Sequence, residues 1–387
     1  MTRAELVVAS LLCAALVFLN AACVASVLGW VHGPRKVLEG DHFRYLEMAR
    51  GAEGKPELAR QPPYCWRILA PFVARTLART GLGVNAAFYL ETNVFLFAFL
   101  LVLYVFWRRI GFDPLAAAAG VTWSGLMQGA VRWYEYQYWM SDAPALFFVA
   151  LAFLLTQTGQ SVALALTSLP AVLSRESYVF VFPYHFLHLA RRRAWWPALV
   201  RTAAIAAGPV VLLVLVQRLI LPSEPNDLAV SVADTLGFRW RHRGDNQAYV
   251  TTVGSLGVLF PLMLLFPERA AEEVRRHFDA AAYLLITYLT LAIANNTERM
   301  LAYGLPVVVP AALWSAEALA REARLPRAAV LGAATLFQAL FWSRVRFHGE
   351  AGLSMYQPPD ALVSVAMAAF WVTARLVLAL RASRGRP

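Results

Sequence analysis

Residues 6–31 read LVVASLLCAALVFLNAACVASVLGWV, an apolar run without a charge. A helix needs roughly 20 such residues to cross the hydrocarbon core of a bilayer. The run outlasts the ~7–15 residues of a signal-peptide core. It also lacks a clear small-x-small cleavage pattern, so it reads as a retained first span. Similar runs recur downstream and give about twelve crossings, at 5–31, 85–107, 115–131, 142–158, 160–174, 177–190, 198–221, 251–267, 279–294, 301–320, 328–343 and 360–380. Of the 387 residues, 59% are apolar and 15% charged, against about 25% charged in soluble domains. The expected fold class is all-α, a polytopic transmembrane helical bundle, with 1–387 as a single integral-membrane domain. A β-barrel is excluded, because its signature is alternation rather than continuous apolar runs. Cys13, Cys23 and Cys65 have no metal spacing.

Loop charges orient the bundle. With the N-terminus cytoplasmic and 160–190 crossing twice, the clusters Arg108-Arg109, Arg191-Arg192-Arg193, Arg275-Arg276, Arg321/Arg324/Arg327 and Arg381/Arg384/Arg386 all fall inside. Short loops rich in Lys and Arg stay cytoplasmic, so this arrangement satisfies every cluster. The alternative, one long helix through Ser174-Arg175-Glu176-Ser177, would put Arg191–Arg193 outside. The polar motifs then emerge on the opposite, outer face. They are Asp41–Arg50, Tyr64–Arg67, Arg132 through Asp142, Ser174–Ser177 and Asn295–Arg299, joined by loops 222–250 and 344–359. The expected location is a bacterial cytoplasmic membrane, multi-pass, with the site facing outward. The net charge of +11 has no basic soluble domain to carry it. Nucleic acid is therefore not an expected partner, and anionic or phosphate-bearing membrane lipids are.

The first outer loop, 32–84, carries the most informative polar island, Gly40-Asp41-His42-Phe43-Arg44-Tyr45-Leu46-Glu47-Met48-Ala49-Arg50. Glu39–Gly51 reads as a short helix that stacks Asp41, Tyr45 and Met48 on one face. Asp41 reads either as a catalytic base at the membrane surface or as a helix N-cap after Gly40. Trp66–Thr80 reads as a second helix, amphipathic and lying in the interface, with Ile68, Leu69, Phe72, Val73 and Leu77 on one side.

The chain has no Gly-rich phosphate loop, HExxH, GxSxG or CxxC, and no nucleotide-binding domain. Any reaction must use an already activated substrate. What remains is a set of acids, Asp41, Asp142, Glu176 and Glu298, matched by Arg44, Arg67, Arg175 and Arg299 at outer helix ends. Charges at membrane depth cost several kcal/mol unless paired or solvated, so each is a functional candidate. Arg175-Glu176 and Glu298-Arg299 read equally as interhelical salt bridges. Trp133, Tyr134, Tyr136, Tyr138 and Trp139 read as an interfacial aromatic belt, with a sugar-stacking platform as the alternative. His185 and His188, at i, i+3, read as an interfacial pair beside Arg191–Arg193 with no carboxylate nearby, and a metal-ligand pair is the alternative.

Several of these motifs resemble the GT-C superfamily of integral-membrane glycosyltransferases. The first is D-x-x-x-Y-x-x-x-A, here Asp41, Tyr45 and Ala49. The second is P-Y-x-x-R-x-L-x-P, here Pro63, Tyr64, Arg67, Leu69 and Pro71. Ser141-Asp142-Ala143 opens a span, Arg175-Glu176 lies between short helices, and Glu298-Arg299 precedes a span with Pro306 and Pro310. The resemblance implies a mannosyltransferase-like hexosyl or pentosyl transfer. The donor would be a polyprenyl-phosphate-linked sugar and the acceptor a lipid or glycan of the cell envelope, with inversion at the anomeric carbon. It implies an outer-loop Asp, here Asp41, as base. The chemistry of a departing phosphate points to Arg67 with Arg175 or Arg299 on the donor phosphate, and Arg44, Tyr45, Tyr64, Asp142, Glu176 and Glu298 are the candidates for holding the substrates. His42 follows Asp41 where some members have a second acid, so no cofactor is expected and a divalent metal is not favoured. A transporter or lipid flippase is the alternative function, although the charges gather at outer ends rather than at the midplane of repeated helices. A non-catalytic membrane scaffold is a third.

Overall fold

The computed structural model describes residues 1–31, 41–51, 53–223, 232–234, 236–237, 255–290, 297–344, 369–376 and 378–379. Among them the structure is helical throughout. The Glu298 side chain, Asn295-Asn296, most of the 222–250 loop, 345–359 and parts of the expected crossings 251–267, 279–294 and 360–380 lie outside the described residues.

α1 spans Arg3–Leu28. Thr2 Oγ1 accepts the Glu5 N–H at 3.1 Å and caps its start, and Gly29, at φ 84°, ends it. At 26 residues it is about 39 Å long. α2 is Asp41–Arg50 and α3 is Leu69–Ala78. α4, Val84–Arg109, is again 26 residues and closes on Arg108-Arg109. α5 is Pro114–Gly125, started by Asp113, whose Oδ1 accepts the Ala116 N–H at 2.9 Å. α6 is Asp142–Thr158, α7 Ser161–Ser174, α8 Val181–Ala190 and α9 Trp195–Leu219. α10 is Phe278–Leu289, α11 Leu305–Glu322 and α12 Arg327–Arg344. Among the described residues, α1, α4 and α9 are long and apolar enough to cross a membrane.

α4 and α6 form the most extensive helix pair, with α1, α5, α11 and α12 completing one bundle and α7–α10 a neighbouring group. Trp107, Trp123, Leu100 and Leu103 are fully buried in that core. Gly120 sets how closely three helices meet. A Cβ there would lie 2.9 Å from both Trp107 of α4 and Val309 of α11. On the outside, α1 exposes Val7, Val8, Leu11 and Phe18, and α9 exposes Val211, Val214, Leu215 and Leu219. Apolar surface this continuous fits a lipid neighbour rather than water.

Four sequence expectations need correction. The helix expected over Trp66–Thr80 is two pieces, a 3₁₀ turn at Tyr64–Trp66 and α3. Pro71 has no N–H for the Arg67 carbonyl, and its ring collides with that carbonyl in a continuous helix. The 115–131 crossing contains a helix of only 12 residues, followed by a wide π turn over Gln128–Arg132. The aromatic belt is not at a surface: Trp133, Tyr134, Tyr136, Tyr138 and Trp139 are all buried. His185 and His188 are buried too, and His188 does meet a carboxylate. Its Nδ1 lies 2.8 Å from Asp279 Oδ2, while Arg191 donates to Asp279 Oδ1 at 2.6 Å. Asp279 comes from α10, 91 residues away, a partner that local sequence does not reveal.

Candidate functional site

Two breaks in helical geometry build the site. Arg67 sits between the Tyr64–Trp66 turn and α3 with φ −91° and ψ 63°. Arg175 is extended, φ −159° and ψ 130°, between α7 and a 3₁₀ turn over Glu176–Phe180. Each break turns a guanidinium off a helix face and into the bundle, where both are buried.

The floor of the site is Asp142, in the first turn of α6, whose side chain is 0% exposed. Arg299 Nη2 donates to its Oδ2 at 2.8 Å, Tyr303 Oη donates to its Oδ1 at 3.0 Å, and Arg175 pairs closely with the same oxygen. A buried carboxylate is tolerable only with such partners. Arg175 also donates to Met300 Sδ at 3.4 Å and lies 5.6 Å from the Tyr303 ring centre.

Asp41 stands above this floor, its side chain 25% exposed. Arg299 Nη1 is 3.9 Å from Asp41 Oδ2, and Arg44 Nη1 donates to Asp41 Oδ1 at 3.1 Å. Arg299 therefore touches both acids, and the order Arg44, Asp41, Arg299, Asp142, Arg175 alternates in charge. Beside this row Arg67 Nε donates to Glu176 Oε2 at 2.8 Å, Nη2 pairs with Oε1, and Nη1 reaches Tyr45 Oη at 3.4 Å. Tyr45 Oη is 3.1 Å from Ser141 Oγ, which returns the network to the residue before Asp142. The Tyr64 ring has the Arg44 guanidinium at 4.4 Å and the Arg67 guanidinium at 5.3 Å, and meets the Tyr45 ring edge-on. Glu176, with its side chain 30% exposed, is with Asp41 one of the two part-exposed acids of the network.

Local fields shift several groups. Burial alone would raise the Glu176 carboxyl, but the Arg67 guanidinium and its hydrogen bonds outweigh that and hold it down at about 2. Burial pushes the His42 imidazole down to about 4. Burial, then the adjacent Asp41 charge, push the Tyr64 phenol up. Among the described side chains of the network, Arg44, Arg67, Arg175 and Arg299 face Asp41, Asp142 and Glu176, an excess of one positive charge when all are ionised. Among the described residues Arg299 Nε is buried without a hydrogen-bond partner. Such a donor in a water-poor cleft is suited to an oxyanion.

Nine of the ten candidates from the sequence, Asp41, Arg44, Tyr45, Tyr64, Arg67, Asp142, Arg175, Glu176 and Arg299, thus meet in one place. The Glu298 side chain is not among the described residues. Tyr303 and Gln61 join them without having been singled out. Tyr303 lies four residues after Arg299, one helical turn on, and that spacing was the available signal. Gln61 Oε1 accepts from Arg44 Nε, a contact with no sequence signal. Among the described residues no three His, Cys, Asp or Glu side chains gather as a metal-ligand set. Compared with known proteins, the chain matches no family model and no curated relative.

Proposed function

We propose that the chain is a multi-pass glycosyltransferase of GT-C type, with about twelve membrane segments, in a bacterial cytoplasmic membrane. It would move a sugar from a polyprenyl-phosphate donor to an acceptor hydroxyl on the extracytoplasmic face. The observation that carries the proposal is Arg299 lying between Asp41 and Asp142. It sets one part-exposed carboxylate over a buried group of guanidinium ions.

In this chemistry Asp41 accepts the proton of the acceptor hydroxyl as that oxygen attacks the anomeric carbon. The bond from that carbon to the phosphate oxygen breaks on the opposite face, so the configuration inverts. The departing lipid phosphate gains charge, and the guanidinium groups of Arg67, Arg175 and Arg299 stabilise it where water is scarce. The single excess positive charge of the network matches the one negative charge of a phosphodiester donor. Arg44 and Tyr64, both half-buried, line the mouth where the sugars would sit, and the buried Tyr45 backs them. Glu176 aims Arg67, and Asp142 aims Arg175 and Arg299. Asp142 is therefore proposed as a positioning residue, in place of the substrate contact expected from sequence.

The test is incubation of the purified protein with defined polyprenyl-phosphate sugars and mass spectrometry of the products. Asp41→Asn is expected to lose about 10²–10⁴-fold in transfer rate, the typical worth of a general base. Full activity of that variant would remove Asp41 from the role. Transport is the second reading, favoured by the buried His188–Asp279 pair, which the exposed Arg191 joins from the surface. Flux of the labelled lipid across proteoliposomes without covalent product would support it.

A further inference from the structure

Behind the arginine network, the segment 133–139 presents a second polar wall to α4. Asn85, Tyr89 and Asn93 recur every four residues and so form one stripe of that helix. All three are half-buried, in the first three turns of α4. Against them pack Glu135, Tyr138 and Trp139. Trp139 Nε1 donates to Asn85 Oδ1 at 3.0 Å, and the Tyr138 ring meets Tyr89 edge-on at 5.3 Å. Asn93 Nδ2 reaches Glu135 Oε2 at 3.5 Å. The wall is continuous with the first site, because the His42 ring, next to Asp41, is 5.4 Å from Trp139.

Glu135 is the unexplained member. It is fully buried, and among the described residues its Oε1 has no hydrogen-bond partner. An unsatisfied buried polar atom costs free energy comparable to a lost hydrogen bond, so it calls for a reason. Burial pushes its carboxyl up to about 8, which leaves it a neutral acid, donor and acceptor at once, at neutral pH. The two asparagine amides have the same dual character. A sugar hydroxyl also donates and accepts, and aromatic rings beside a few convergent polar groups are the usual lining of a small-molecule site.

We infer that this wall is a second binding site, for the neutral, hydroxyl-rich head of the acceptor, with Glu135 and Asn93 holding one hydroxyl. The inference rests on the glycosyl-transfer proposal and adds to it the side from which the acceptor approaches Asp41.

The experiment uses the full chain in lipid nanodiscs and methyl α-D-glucopyranoside as probe, with binding read by saturation-transfer NMR. Wild-type protein is expected to transfer saturation to the probe. Glu135→Met keeps roughly the length of the side chain but offers a hydroxyl neither a donor nor a strong acceptor. It is expected to weaken binding about tenfold, the scale of one lost hydrogen bond. Asn93→Ala tests the same contact from α4, at a half-buried position that tolerates truncation. Inorganic phosphate binding to the arginine network, followed by ³¹P line broadening, is expected to be unchanged in both variants and certifies their fold. No saturation transfer in the wild type, or wild-type binding in both variants, would overturn the inference. So would about tenfold tighter binding of glucosamine that Glu135→Met abolishes, because that would mark an ammonium site. Lipid-phosphosugar transfer with glucoside binding indifferent to Glu135 leaves the glycosyltransferase standing and removes the acceptor site. Glucoside binding that depends on Glu135, in a protein that transfers nothing, does the reverse.

Discussion

Three carboxyl groups in this chain show how environment decides what an acid does. Asp142 is clamped by two guanidinium groups and a phenol, Glu176 by one guanidinium at the mouth, and Glu135 by no cation among the described residues. Removing one member of a buried ion cluster leaves the others uncompensated, at a cost of about 3–5 kcal/mol. Asp142→Asn is therefore expected to lower thermal stability in detergent, and to weaken phosphate binding as Arg175 and Arg299 lose their common anchor. Equal stability of this variant and the wild type would rule out the clamp. The two shifted acids respond to pH with opposite sign. Glu176 is held below its ordinary value, so its contribution is present above about pH 4.5 and is lost as the pH falls through about 2. Glu135 is raised, so its contribution is present below about pH 4.5 and is lost as the pH rises through about 8. Thermal melts from pH 5 to 9 are expected to show the wild type losing stability that Glu135→Gln retains. Parallel curves would contradict the assigned shift.

At the scale of elements, the site depends on where helices stop. Pro71 interrupts what would be a single helix, and the extended backbone at Arg175 interrupts another. Pro71→Ala lets a helix run back through Arg67 and swings that guanidinium away from Glu176. Transfer activity is expected to fall at least about tenfold, on the scale of a hydrogen bond to a charged group, while the protein still purifies as a folded species. Gly120 makes the complementary point for packing. Gly120→Leu forces side-chain atoms against Trp107 and Val309, and its expected cost is about 1–3 kcal/mol in a chemical denaturation series. The sequence made the polar candidates easy to find, because a charge stands out in an apolar background. It also gave the helix carrying Asp41 and the span behind Arg108-Arg109. It did not give partners. His188 meets Asp279 across 91 residues, and Arg299 meets Asp142 across 157. Both encounters are decided by helix packing rather than by local spacing. The aromatic segment was misplaced for a related reason: Trp and Tyr suit a membrane interface and a buried core about equally well.

For the whole molecule, the clustered arginines predict sidedness. In sealed vesicles of known orientation, a membrane-impermeant thiol reagent is expected to label Arg60→Cys from outside and Arg192→Cys only from inside, with the native cysteines replaced by Ser. Labelling of both from one face would refute the proposed topology and, with it, the outward-facing site. The clamp on Asp142 also bears on biogenesis. Its carboxylate belongs to α6, its phenol and one guanidinium to the stretch before α11, and its other guanidinium to the bend after α7. While the ribosome is still making the second half of the chain, that acid has entered the bilayer without its full set of counter-ions. The early helices therefore wait, incomplete and recognisable to quality-control proteases, until the later ones are inserted. A chain stopped before Thr297 should be degraded rather than persist.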